Sequence, residues 1–139
     1  MKNIEKIGLA IIENGKLLIL RNAGTSLFLM PGGRVEHGEE PLETLAREIK
    51  EELQCELITE SSTYLGEFSD VAANDPGKIV RIKLFSGKIK GDIVIDNEIE
   101  EMKWFDPKFD DHEILSPIVK NKILPSLIQS NLLCLLEKE

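Results

Sequence analysis

Glu48, Glu51 and Glu52 fall within five consecutive residues, near the end of a segment whose apolar residues recur at helical spacing. At about 100° per residue, with Leu42 set at zero, Glu51 lies at about 180°, Glu48 at about 240° and Glu52 at about 280°. The three carboxylates thus share an arc of about 100° on one side of a helix. Glu48 and Glu52 are like charges at i and i+4, which costs an isolated helix roughly 0.2–0.5 kcal/mol, and they sit toward the negative pole of the helix dipole. A merely solvated face would more comfortably carry Lys or Arg there. Arg47 lies one turn from Glu43 and from Glu51 and can orient them, which leaves Glu48 and Glu52 uncompensated. Clustered hard oxygen ligands with no His or Cys beside them suit Mg2+ or Mn2+ and not Zn2+. Magnesium keeps several waters and completes its shell with substrate phosphates, so an acidic site of this kind can receive an anionic substrate.

The charge of the chain points the same way. Between Glu36 and Glu60 nine glutamates stand against Arg47 and Lys50 alone, so −7 of the formal −8 falls in that stretch. Such a balance argues against a protein held to nucleic acid by a general basic surface. No apolar run reaches the roughly 18 residues that a membrane span needs, and the opening MKNIEKIGLAII lacks the apolar region of a signal peptide. Cys55 and Cys134 lie far apart, form no CxxC pair and suit a reducing compartment. The expectation is a cytoplasmic chain. Its 139 residues, 42% hydrophobic, suffice for one domain over 1–139.

The elements that must position the carboxylates are readable. Pro41 suits a first helical position, and Glu39, Glu40 and Glu43 complement the positive pole there. Leu42, Leu45, Ala46, Ile49 and Leu53 form a stripe of about 100°, so a helix over Pro41–Leu53 is predicted with that face in the core. Pro31-Gly32-Gly33 ends a short apolar strand over 27–30 and gives the connecting loop backbone freedom beside the carboxylates. Residues 7–12 and 16–21, joined by Glu13-Asn14-Gly15, read as a hairpin. Further strands are predicted over 56–58, 64–68, 79–89 and 102–105, and an amphipathic helix over 117–136 interrupted at Pro125. The pattern is that of a layered α/β (α+β) fold.

Gly33, five residues, Glu39, seven residues and then Arg47-Glu48-Ile49-Lys50-Glu51-Glu52 resembles the Nudix box, GX5EX7REUXEEXGU with U aliphatic, over residues 33–55. Two positions are notable. Gln54 stands where the box has Gly, a substitution costing about 1 kcal/mol if the helix ends in the left-handed region, and Cys55 occupies the last apolar position. The resemblance implies a Nudix-type α/β/α sandwich, a mixed curved sheet between helices. It also implies hydrolysis of a diphosphate linked to another moiety, usually a nucleoside, with Mg2+ or Mn2+.

Carried over by position, the resemblance implies Glu48 and Glu52 as metal ligands and catalytic residues, Glu51 as a third ligand and the Gly32 carbonyl as a further one. Glu98, six residues before Trp104, matches the loop carboxylate that completes the site or acts as base, with Glu101 as the fallback. Either Glu48 or Glu98 would take the proton of the attacking water. Gly33, Glu39 and Arg47 are structural in this scheme. Arg21 is a candidate phosphate contact or a solvated arginine, and Phe28 stacks on a base or belongs to the core. Asp110 and Asp111 lie where some members recognise a purine. The Pro that marks ADP-ribose hydrolases about 15 residues past the box is absent (position 71 is Val), as are the Tyr of dinucleoside polyphosphate hydrolases and the coenzyme A signature. A MutT-like nucleoside triphosphate pyrophosphohydrolase is thereby favoured, with an ADP-ribose or nucleotide-sugar diphosphatase and a non-catalytic nucleotide sensor as alternatives. The partner is a small nucleotide or other diphosphate. The apolar end, residues 127–136, either caps the core or serves a homodimer.

Overall fold

The computed structural model describes residues 3–95 and 98–134. Asn14 and Gly15 have φ of 52° and 75°, the pair of positive values that a two-residue hairpin turn needs. They join β2 (Ile12–Glu13) to β3 (Lys16–Asn22). The strand preceding the turn is longer than its apolar run suggests, and it bends. β1 (Asn3–Ala10) pairs in parallel with β6 (Ile79–Lys90), while β2 belongs to a different sheet. One sheet has the order β4–β1–β6–β5, with β4 at Gly32–Gly33 and β5 at Glu56–Val71; the other has the order β2–β3–β7, with β7 at Ile99–Phe105.

β1 and β3, one from each sheet, are buried on two faces. Ile4 and Ala10 of β1 and Leu17 and Ile19 of β3 pack with the C-terminal helical segment. Ile7 and Leu9 of β1 and Leu18 and Leu20 of β3 pack with Leu45, Ile49 and Leu53 of α1 (Pro41–Leu53). Those three helix residues are fully buried, each contributing about 2 kcal/mol of hydrophobic stabilisation. The result is the expected mixed-sheet sandwich between helices, and α1 has the predicted bounds.

Three expectations need correction. Residues 27–30 form no regular strand; Leu29 bridges Leu20 and Phe28 bridges Leu115 as isolated pairs. Residues 56–58 and 64–68 belong to one strand, β5, whose register against β6 shifts between Ile58 and Thr63 and again between Tyr64 and Gly66. Ser61 fills the first irregularity: its hydroxyl donates to the Ile58 carbonyl at 2.6 Å and accepts from the Lys88 N–H at 2.8 Å. Pro125 does not interrupt the C-terminal helix. The chain is helical over 117–129, with a π-helical turn at Val119–Ile123 leading into α2 (Leu124–Gln129). The wider turn relieves the contact a proline ring makes with the carbonyl four residues back. Leu127 and Leu133 join the core; Leu135 and Leu136 lie outside the described residues.

Candidate active site

The loop that leads to α1 is shaped by two glycines. β4 pairs antiparallel with β1, Gly32 opposite Gly8 and Gly33 opposite Ile7. Gly32 has φ of 141°, and a Cβ there would lie 2.1 Å from the Ile7 carbonyl oxygen. No other residue fits that position. A Cβ on Gly33 would lie 2.4 Å from Cδ of Glu48. The missing side chain at Gly33 is therefore the space that the Glu48 carboxylate occupies.

Arg47 fixes the loop against the helix. Its Nε and Nη2 donate to the two oxygens of Glu39 at 2.8 and 3.0 Å, Nη2 donates to the Arg34 carbonyl at 2.9 Å, and Nη1 donates to Glu48 Oε1 at 2.6 Å. Glu39 also accepts from the Thr44 hydroxyl at 2.9 Å and the Glu36 N–H at 2.8 Å. The Arg47 guanidinium, with the Glu36 N–H second, holds the Glu39 carboxyl down to about 2. Glu39 oriented toward Arg47 is as expected of a structural residue, but the geometry differs from the sequence expectation in two respects. Arg47 reaches Glu48, which is therefore not uncompensated, and Glu43 does not face Arg47 but accepts from the Glu40 N–H at 3.0 Å and caps the helix.

Glu52, at about 280° on the helix, lies only about 20° from Leu45 at the margin of the core stripe. Helix geometry alone thus forces this carboxylate into a partly buried place. Burial is the main cause that pushes its pKa up to about 8; the Gly32 N–H, donating to Oε1 at 3.0 Å, opposes the shift, and the Glu48 charge adds to it. Burial likewise raises Glu48, against the pull of Arg47. Each of these carboxylates has Oε1 held by one donor and Oε2 without a protein donor among the described residues. Glu51, by contrast, is exposed and only 3.7 Å from Arg47 Nη1. In this arrangement no group of three His, Cys, Asp or Glu side chains converges among the described residues. Two oriented carboxylates, each with an open oxygen, still suit Mg2+, which takes one or two carboxylates and fills its shell with water and substrate oxygens. The donors that fit are Glu48 and Glu52.

A cleft of about 230 Å³ opens beside Glu52. Its lining includes Lys6, Gly8, Gly32, Gly33 and Arg34 together with Asn22, Leu29 and Ser116. Lys6 is a residue the sequence reading missed. Burial chiefly, and the nearby Arg34, lower its pKa, while Glu52 and Glu48 oppose that shift. Its signal was the even positions Ile4, Lys6, Gly8 and Ala10, a strand face that starts before the apolar run. The Ser116 hydroxyl is buried without a hydrogen-bond partner among the described residues.

The remaining candidates are dispersed. Glu98 is exposed just before β7, its carbonyl accepts from the Ala23 N–H at 2.8 Å, and its charge reaches Glu48. Arg21 is engaged, with Nη1 2.6 Å from Glu100 and Nη2 3.1 Å from Glu101, so the Glu101 carboxylate is paired with Arg21. Phe28 is buried in the core, with its ring centroid 6.0 Å from the Arg21 guanidinium carbon. Asp110 and Asp111 accept from the N–H groups of Asp106 and Glu113 and shape their own loop.

The NUDIX domain family model matches residues 5–117. The chain belongs to the Nudix family. It is 32% identical over 121 residues to an ADP-ribose pyrophosphatase of Methanocaldococcus jannaschii, covering 81% of this chain and 70% of that one. It is 28% identical to an m7GpppN-mRNA hydrolase of Saccharomyces cerevisiae over 93% of this chain, which spans only 13% of that protein's length. Among solved structures, the MutT protein from Methanosarcina mazei Go1 superposes with a TM-score of 0.74 at 21% identity, covering 92% of this chain and 95% of that one. The Nudix fold of the chain is thus established together with its class of chemistry, hydrolysis of diphosphate bonds. No helix among the described residues is long and apolar enough to cross a membrane.

Proposed function

We propose that this Nudix chain, acting as one domain over 1–139, hydrolyses a phosphoric anhydride bond in a small nucleoside diphosphate-linked compound. A nucleoside triphosphate is the leading substrate and Mg2+ or Mn2+ the cofactor. The observation that carries this reading is the pair Glu48 and Glu52, each oriented through one oxygen and open at the other, with Glu52 lining the cleft. Glu48 and Glu52 would hold the divalent cation, which when bound would offset the diphosphate charge and lower the pKa of water.

The residues of the chain supply the rest. Arg47 and Glu39 keep the loop and helix in register, and Gly33 leaves room for Glu48 to turn inward. Glu48 or Glu98 takes the proton of the attacking water. Within the cleft, Asn22 and the Ser116 hydroxyl, which has no hydrogen-bond partner among the described residues, offer polar contacts to the organic moiety. The free cysteines suit a cytoplasmic setting.

The absence of the ADP-ribose marker at Val71 supports the triphosphate reading. The Methanocaldococcus relative, 32% identical, favours ADP-ribose as a second substrate. A purely sensing domain would have no need to keep Arg47, Glu48, Glu51 and Glu52 together. The test is a panel of nucleoside triphosphates, ADP-ribose and nucleotide sugars with Mg2+, read by product mass. Release of diphosphate from a triphosphate, abolished by EDTA, is the expected result. Cleavage of ADP-ribose alone would move the assignment to the second substrate, and no turnover on any member would overturn it.

A further inference from the structure

The proposed reaction leaves Lys6 without a task, yet its position is hard to explain by folding alone. Strand alternation sets Lys6 on the same face of β1 as Ile4, Gly8 and Ala10, a face otherwise apolar or without side chains. A partly buried ammonium there costs free energy unless it is paired. Among the described residues Lys6 makes neither an ion pair nor a side-chain hydrogen bond. Two residues along, Gly8 has no side chain, and a Cβ there would already lie 3.0 Å from Ile82. Ile82 packs close over Gly8, and the backbone of Gly8 lines the cleft next to Lys6. Arg34, at the end of the glycine loop, lines the same cleft, and its guanidinium likewise makes no ion pair among the described residues. Two cations, neither in an ion pair although Glu52 and Glu48 lie near enough to act on Lys6, thus line the cleft with Glu52.

An ammonium and a guanidinium around an open space match the oxygens of a phosphoryl group, the guanidinium by paired N–H groups and the ammonium as a compact charge. We propose that Lys6, together with Arg34, is a substrate-binding residue: it seats the phosphoryl group that lies beside Glu52 and draws the anion into a net acidic site. The assignment rests on the diphosphate reading above. A purely structural lysine is the competing explanation, and the two differ in sign. Removing a structural lysine lowers stability, whereas removing an unpaired buried charge leaves stability unchanged or raised while anion binding falls.

The experiment titrates methylenediphosphonate, a non-hydrolysable diphosphate, into the full chain by calorimetry, with Mg2+ and separately with EDTA. Lys6→Met should weaken binding at least about tenfold in both conditions, with the melting temperature unchanged or raised, and Lys6→Arg should restore it to within about threefold of wild type. Arg34→Gln, a change on an exposed loop, should weaken it about three- to tenfold. It provides the test should Lys6→Met fail to fold. Wild-type affinity in Lys6→Met overturns the assignment, and in its absence so does wild-type affinity in Arg34→Gln. If the wild type binds the probe through Lys6 but hydrolyses nothing in the panel, the seat stands and the reaction falls. If Lys6→Met turns over a panel nucleotide with unchanged KM, the reaction stands and the seat falls.

Discussion

Glu39 and Glu52 are chemically identical and stand at opposite ends of the same helix, one just before its start and one in its last turn, yet their surroundings pull them in opposite directions. Glu39 receives Nε and Nη2 of Arg47, the Thr44 hydroxyl and a backbone N–H, and its pKa is held down to about 2. Glu52 receives one backbone N–H at the edge of the core, and its pKa is pushed up to about 8. The first belongs to a finished frame in which each oxygen is used. The second is oriented but incomplete, and a group left incomplete inside a cleft is where a ligand gains most by binding. Role follows from how fully a carboxylate is satisfied, which residue type and spacing alone do not reveal.

That contrast can be broken outright. Glu52→Gln should lower turnover by at least about a hundredfold while the fold persists by circular dichroism; near-normal turnover in the purified variant would place the chemistry elsewhere. Gly33→Ala puts a methyl group 2.4 Å from the Glu48 carboxyl carbon and must push that side chain out. We expect turnover to fall by at least about tenfold with intact α1, measured on the same substrate.

The two carboxyls also predict opposite limbs of a stability profile. Both have an ordinary value of 4.5. Glu39, depressed on folding, contributes stability that is present above 4.5 and is lost as pH falls toward about 2. Glu52, raised on folding, keeps its proton in the folded state after the unfolded chain has lost it. Its contribution is present below 4.5 and is lost as pH rises through about 8. Denaturant melts across this range should lose the acid limb in Glu39→Gln and the neutral-to-basic limb in Glu52→Gln. Saturating Mg2+ should flatten only the second. The smallest effect concerns the helix end. Gln54 has φ of 56° and ψ of 35°, so Gln54→Gly should raise unfolding free energy by about 1 kcal/mol in the same melts.

Much of this frame was legible because local rules agreed. Pro41 opens α1, the apolar stripe runs to Leu53, and Asn14-Gly15 carries the backbone its hairpin demands. The sequence reading faltered where tertiary pairing overrides pattern. The polar run Glu60-Ser61-Ser62-Thr63 hid a continuous β5, because a serine hydroxyl completes the ladder across an irregularity. Pro125 suggested an interruption that a π-helical turn absorbs. In the site, Glu48 and Glu52 were visible from helical angles and from the box, and Arg47 was visible as an orienting group with one of its partners misassigned. Lys6 was overlooked. Its place at an even position with Ile4, Gly8 and Ala10 gives only its strand face, and that it lines a cleft is known only once the opposite wall is.

The bond from the Gly32 N–H to Glu52 has a consequence for how the site is probed. Its donor belongs to the peptide backbone, so no side-chain exchange can withdraw it, and it dictates which way round a carboxamide must lie. A glutamine at 52 would turn its carbonyl oxygen to that N–H and its amino group toward the open side. The substitution therefore reverses a dipole as well as deleting a charge, and it confronts an arriving cation with hydrogens in place of a lone pair.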